Sequence, residues 1–162
     1  MNAPDVLKYG HKTVLDTLQA LPPEADWGAG GVCVVWSVRD ILAHLASYEL
    51  ALVDVLKGFL RAEPGPHLQE LLQQGARFNE IQVGRRQGLT PAEALAEYTQ
   101  AYQEVQSLAP QISPEACRQV GSLPWYGAEY SLDDLIVYQY YAHKREHCAQ
   151  INVYRDRLEG KV

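Results

Sequence analysis

Apolar residues recur every three or four positions through almost every long segment of this 162-residue chain. This spacing is the period of an α-helix that buries one face, whereas a half-buried strand would alternate every second residue. The clearest stripe follows Ser37 and consists of Ile41, His44, Leu45, Tyr48, Leu52, Val55, Leu56 and Phe59. No segment has a convincing strand pattern, so the sequence predicts an all-α fold.

Capping residues and helix breakers divide the chain into helical segments. The first is predicted from about residue 4 to residue 21, where PPEADWGAGG interrupts the helical pattern. The second begins at Ser37, whose SVRD resembles a capping box with Asp in place of Glu, and it ends before EPGP. The third covers about 67–87, and the fourth opens at Thr90 in TPAE and runs to about residue 108.

A loop of about 20 residues, 110–130, is predicted before the last helix. Its segment SPEACRQV is compatible with a short helix. The last helix begins at Ser131 in SLDD and continues to about residue 158. The simplest packing is a four-helix bundle with one short accessory helix, forming a single domain over residues 1–162.

The charge and the cysteine content exclude several classes of function. The net charge is -6 and the pI is about 5.3, which argues against nucleic acid or an anionic membrane as a partner. No apolar run reaches the length of a membrane helix, and the N-terminus lacks an apolar signal core. Cys33, Cys117 and Cys148 form no CxxC pair. These features predict a cytoplasmic protein without a cysteine zinc site.

The segment YYAHKREHCAQI, residues 140–151, places His143 and His147 four residues apart in the last helix. Such residues project side by side, so two imidazoles can ligate one metal ion, although the spacing also arises by chance. Both lie in an apolar stripe, where burying adjacent imidazoles without partners is costly. His44 is a third histidine, on the apolar stripe of another helix. Three histidines from two packed helices can bind one divalent metal and leave positions open for water or substrate.

Two tyrosines stand one helical turn from these histidines. Tyr48 follows His44, and Tyr140 precedes His143. Both tyrosines are placed to line a pocket at the metal, and both are equally compatible with core packing.

Other side chains have two interpretations each. Trp125 and Tyr126 in the long loop can cover the mouth of the pocket or pack beneath the loop. His11 can line the pocket, or it can be a core histidine bonded to a carbonyl. Glu146 can flank the metal as a catalytic base, or it can form a surface or intra-helix ion pair. Cys148 points away from the metal face and is expected to be a core thiol.

Three segments resemble signatures of the DinB/YfiT-like family. WSVRDILAHLASYE at 36–49 is similar to its first signature, and FN at 78–79 to its mid-chain element. The segment 130–151 resembles its C-terminal signature, an HxxxH helix followed by Gln and an apolar residue. The order and spacing are similar over essentially the whole chain. The resemblance implies a four-helix bundle that often dimerises and binds a divalent metal, commonly nickel or zinc, on His44, His143 and His147.

The resemblance leaves the reaction open. One hypothesis is a metal-dependent enzyme acting on a small molecule as a thiol S-transferase or a hydrolase, with metal-bound water or thiolate as its reactive group. A low-molecular-weight thiol would then be the co-substrate. The second hypothesis is a non-enzymatic bundle that binds a metal or small ligand, with a stress response as one setting. A metal-free helical bundle is the third.

Overall fold

The computed structural model describes residues 2–161. The helices are α1 (Ala3–Gln19), α2 (Val38–Phe59), α3 (His67–Gln74), α4 (Phe78–Arg85), α5 (Pro91–Leu108), α6 (Pro114–Arg118), α7 (Leu132–Leu135) and α8 (His143–Leu158). A π-helical segment, Ile136–Ala142, joins α7 to α8, so residues 132–158 form one continuous C-terminal helix. No strand occurs within residues 2–161, and the predicted all-α fold is confirmed.

The predicted helix starts at Ser37, Thr90 and Ser131 are confirmed by their caps. At α2, the Asp40 backbone N–H donates to the Ser37 hydroxyl at 3.1 Å, and the Ser37 N–H donates to the Asp40 carboxylate at 3.0 Å. At α5, Thr90 and Glu93 form the same reciprocal pair. The C-terminal helix begins with a third capping box at the predicted position. Each box satisfies two backbone donors that would otherwise lack a partner at the helix start.

Four elements make up the bundle: α1, α2, α5 and the C-terminal helix. α2 packs along α5, and α1 packs along the C-terminal helix. Their buried side chains form two apolar clusters, one including Leu7, Leu52, Val105 and Ile136, the other Val14, Ile41, Tyr98 and Ile151. The clusters adjoin in the middle of α2, where Leu45 belongs to one and Tyr48 packs against the other. The central turns of α2 thus lie at the junction of the clusters.

The predicted helix over 67–87 is wrong in one respect, because it is divided into α3 and α4. Gly75 follows α3 with φ of +50°, a left-handed conformation that glycine adopts without a steric penalty. A 3₁₀ turn over Gly75–Arg77 then leads into α4. Within the predicted loop, SPEACRQV forms α6 as expected.

The π-helical segment of the C-terminal helix was not predicted. A π-helix bonds each N–H five residues back, so each turn of this segment is wider than an α-helical turn, and the residues that follow are rotated relative to a regular α-helix. His143 is the first residue after it. Tyr140, Lys144 and His147 are buried on the inner face of this region, whereas Tyr138 is exposed. The π-helical segment therefore helps to decide which side chains of α8 face the bundle interior.

No helix among residues 2–161 combines the length and the apolar character needed to cross a membrane.

Candidate metal centre

The structure brings His44, His143 and His147 together between α2 and the C-terminal helix. The Nε2 atoms of His44 and His143 lie 2.8 Å apart, and those of His143 and His147 lie 2.9 Å apart. One ring nitrogen from each histidine lies within 4.8 Å of the other two. Three nitrogens from two helices thus point at a common volume.

Burial keeps these three imidazoles neutral. Burial, followed by the neighbouring His143 and His147, lowers the pKa of His44 to about 2. Burial, then His147 and Lys144, lowers the pKa of His143 to about 4, although a hydrogen bond to the backbone of residue 139 opposes the shift. The pKa of His147 is also lowered by burial, against the opposing effects of its neighbours. At neutral pH the rings therefore offer lone pairs and not positive charges.

The spacing of the nitrogens is compatible with a bound metal after a small adjustment. Two nitrogens bound to a tetrahedral Zn²⁺ lie about 3.3 Å apart, so each measured gap needs to widen by about 0.5 Å. Without a metal, three adjacent Nε2 atoms must share protons between them, and all three cannot be satisfied together. A metal ion accepts all three lone pairs. The donor set and its neutrality thus fit a divalent metal ion.

The second ring nitrogens of His147 and His44 have different surroundings. His147 Nδ1 lies 2.8 Å from Gln150 Oε1, an arrangement in which Nδ1–H donates and Nε2 keeps its lone pair. His44 Nδ1 is buried and has no hydrogen-bond partner within residues 2–161. The Trp36 ring covers His44, with centroids 4.9 Å apart. Trp36 therefore forms a wall of the histidine cluster.

Replacing Gln150 by alanine is expected to weaken metal binding about 10–100-fold, the usual effect of losing a partner that orients a ligand histidine. His147 would lose the acceptor that fixes its tautomer. A competition titration against a chromophoric chelator measures the change. Gln100→Ala on the exposed face of α5 is the matched control, and equal affinities of the two variants would contradict the orienting role.

Tyr48 lies against the cluster on its other side. Its ring centroid is 5.0 Å from that of His44 and 4.8 Å from that of His143. Its hydroxyl donates to Asn79 Oδ1 of α4 at 3.2 Å. Asn79 thus reaches the surroundings of the site through Tyr48, and α4 is tied to the same region.

A cavity of about 210 Å³ lies beside the cluster, on the far side of Tyr48. Its lining includes four side chains for which the sequence suggested a pocket: Tyr48, Tyr140, Trp125 and Tyr126. Leu71, Leu135 and Gln139 complete it. The long loop therefore contributes to a cavity that adjoins the histidines through a shared tyrosine wall.

The structure does not place His11 in this cavity. His11 Nδ1 lies 3.1 Å from the Tyr98 hydroxyl, and its ring stacks on Tyr102 at 3.6 Å between centroids. Its partner is a side-chain hydroxyl and not the carbonyl that the alternative interpretation suggested. The position of α1 beside α5 directs His11 into the middle of the bundle.

His11 is expected to make the protein less stable at acidic pH. Burial, followed by the nearby Lys144, lowers its pKa from 6.5 to about 4, so the unfolded chain binds the proton more readily. The contribution of neutral His11 to the free energy of unfolding is therefore complete above pH 6.5 and is lost as the pH falls toward 4.

The test compares urea unfolding of the native chain and of His11→Gln at pH 7 and pH 5, with a chelator present. The native chain should lose about 1–2 kcal/mol more between the two pH values than the variant. His67→Gln, at a partly exposed position on α3, is the control. Equal losses in native protein and His11→Gln would show that His11 does not carry this dependence.

Glu146 and Cys148 lie away from the metal-facing nitrogens. Glu146 is exposed, forms no ion pair among the described residues, and acts on His147 only by its charge. Cys148 is buried, and burial raises the pKa of its thiol, which accords with a core position. Neither side chain belongs to the group of possible ligands that the structure brings together.

Sequence reasoning missed two charged residues beside the site. Glu49 and Lys144 are each 1% exposed and form an ion pair between α2 and α8. The available signal was their position, since Glu49 interrupts the apolar stripe of α2 and Lys144 directly follows His143. A buried charge seldom occurs without such a partner.

The comparisons with known proteins give one match. The family model described as the mycothiol maleylpyruvate isomerase N-terminal domain matches residues 7–130. The match includes His44 and ends before the C-terminal helix that carries His143 and His147. No curated protein and no solved structure matches the chain.

Proposed function

Because the chain belongs to the mycothiol maleylpyruvate isomerase N-terminal domain family, within the DinB/YfiT-like superfamily, we propose that it is a metal-dependent enzyme acting on a small molecule. His44, His143 and His147 hold a divalent ion, zinc or nickel, and a low-molecular-weight thiol such as mycothiol is the co-substrate. The observation that carries the proposal is the convergence of three neutral Nε2 atoms from two helices.

A bound divalent ion would lower the pKa of a coordinated thiol or water and so supply a nucleophile at neutral pH. The chain's own residues have simpler tasks. Gln150 orients His147, and Trp36 and Tyr48 hold the His44 ring between them. His143 is the least buried of the three ligands, so access from solvent is on its side.

The cavity beside the cluster is suited to a small organic molecule. Tyr48 and Tyr140 provide apolar walls, while Gln139 provides a polar group at the rim. Trp125 and Tyr126 come from the loop before α7 and can exclude water from a bound ligand. In thiol transfer, the thiol sulfur bonds to an electrophilic carbon, and the thiol proton goes to the leaving group or to the adjacent carbon.

The test begins with metal content, measured by plasma mass spectrometry on untagged protein. Zinc- and nickel-loaded protein is then incubated with mycothiol and either 1-chloro-2,4-dinitrobenzene or maleylpyruvate. The loss of free thiol and the release of chloride are followed with the first compound, and the loss of maleylpyruvate is followed with the second, because isomerisation regenerates the thiol. We expect near one equivalent of metal and a metal-dependent rate. Protein that stays metal-free after incubation with both ions would remove the chemical basis of the proposal.

A second candidate is a non-enzymatic bundle that binds a metal or a small ligand. One observation favours it: Tyr48 and Tyr140, and not the histidines, line the adjoining cavity. A ligand in that cavity would be separated from the metal by a tyrosine wall. Metal binding together with ligand binding, but with no turnover of any thiol and electrophile pair, would favour this candidate.

Homodimer formation is a further proposal that the resemblance supports. The expected result is a particle of about twice the chain's 18.1 kDa in light scattering after size exclusion. A particle of the chain's own mass would exclude the dimer without affecting the proposed metal site.

A further inference from the structure

A fully buried ion pair lies directly behind the metal centre. Lys144 Nζ of α8 is 2.5 Å from Glu49 Oε1 of α2, and both side chains are 1% exposed. Beyond this contact, neither Lys144 Nζ nor Glu49 Oε2 has a hydrogen-bond partner within residues 2–161. Nothing in the proposed chemistry uses either residue.

The other two helices of the bundle surround this pair. The ammonium of Lys144 lies 6.0 Å from the ring centroid of Tyr98 and 5.8 Å from that of Tyr102, both on α5. Gly10 of α1 leaves room for the Lys144 stem, because an added Cβ there would lie 3.3 Å from Lys144 Cδ. The charged groups are thus enclosed by α1 and α5 while they join α2 to α8.

A buried ion pair of this kind is not an effective way to stabilise the fold. Moving two charges out of water costs more free energy than burying an apolar pair of similar volume, unless every remaining hydrogen-bond donor and acceptor is satisfied. Here Lys144 Nζ and Glu49 Oε2 remain unsatisfied. In some proteins a buried ion pair instead favours one register of the two helices, because the charges must come within contact distance of each other, whereas apolar side chains can also pack in neighbouring registers.

We propose that Glu49 and Lys144 are a positioning pair that sets α8 against α2 and so brings the histidine nitrogens to one point. The inference rests on the proposed metal site. Lys144 directly follows His143, and Glu49 directly follows Tyr48, whose ring contacts both His44 and His143. The π-helical segment ends at residue 142, and contacts beyond it also help to define the rotation of α8. The ion pair supplies such a contact one residue from a ligand.

The test is the double variant E49M/K144M, which replaces both charges with flexible apolar side chains of similar length. We expect a folded protein by circular dichroism, with metal affinity at least about tenfold weaker than that of the native chain, since the ligands would lose their support. The probes are Zn²⁺ in chelator competition and Co²⁺, whose visible spectrum reports its coordination geometry. The control is K57M/E104M, which removes an inter-helix ion pair of 2.8 Å between α2 and α5. This pair lies about 20 Å beyond His44 along α2, so its loss should leave affinity and spectrum unchanged.

The outcomes separate this inference from the proposed function. If the native chain binds no metal, both the positioning role and the proposed function are excluded. If it binds metal and E49M/K144M binds equally well with the same cobalt spectrum, the positioning role is overturned while the metal site stands. If E49M/K144M does not fold, E49D decides. Its carboxylate is one methylene shorter and cannot reach Lys144 Nζ in the native register, so folded E49D should bind metal more weakly; native affinity and cobalt spectrum in E49D would overturn the inference.

Discussion

Replacing His143 by alanine is expected to abolish stoichiometric metal binding. His143 Nε2 lies within 2.9 Å of the Nε2 atoms of both other histidines, so its loss removes the central member of the set. A missing outer partner of a ligand weakens metal affinity about 10–100-fold, and a missing ligand should exceed that range. His44→Ala should behave in the same way because it removes the only ligand from α2.

Plasma mass spectrometry on dialysed protein measures the stoichiometry, and thermal unfolding with and without added Zn²⁺ measures the coupling to stability. The native chain should gain thermal stability with zinc, because a ligand that binds only the folded state stabilises it. Both alanine variants should gain nothing. His67→Ala, which removes a histidine outside the cluster, should retain the native response. Full metal content in His143→Ala would exclude the proposed ligand set.

Most of the fold could be predicted from local rules that operate within a few residues. The apolar stripe of α2 and the reciprocal caps at Ser37 and Thr90 depend on side chains three or four positions apart, so the sequence displays them directly. The break at Gly75 was missed because a glycine can lie within a helix or end it, and the choice depends on the packing of α3 and α4. The π-helical segment was missed because its widened turn is decided by long-range packing and not by residue type.

The candidate site was predictable where spacing and burial acted together. His143 and His147 share a helix face, and the stripe of α2 turns His44 inward, so their convergence was expected from two helices packing face to face. The sequence indicated Tyr48 as a pocket residue, but it could not show that this tyrosine separates the cavity from the histidines. The partner of Glu49 was also not predictable, because the ion pair with Lys144 requires contact between two residues that are far apart in the chain.

Replacing Lys144 alone by methionine is expected to destabilise the protein by about 3–5 kcal/mol, the usual effect of leaving one member of a buried ion pair without its partner. Glu49 is 1% exposed, and its second carboxylate oxygen already lacks a hydrogen-bond partner among the described residues. Without Lys144, the buried carboxylate would have no compensating cation. Urea unfolding of the chelator-treated variant at pH 7 measures the loss, and most of it should be recovered in E49M/K144M.

Lys12→Met on α1 is the control that shows how much of the stability loss depends on burial. Lys12 also forms an ion pair with a carboxylate, Asp16, but its side chain is 67% exposed. Exposed pairs contribute between zero and about 1 kcal/mol, so Lys12→Met should change the free energy of unfolding by less than that. If both lysine variants lose the same small amount, water or a rearranged side chain must compensate Glu49 in the protein. The pair would then be too loosely held to fix the register of α8 against α2.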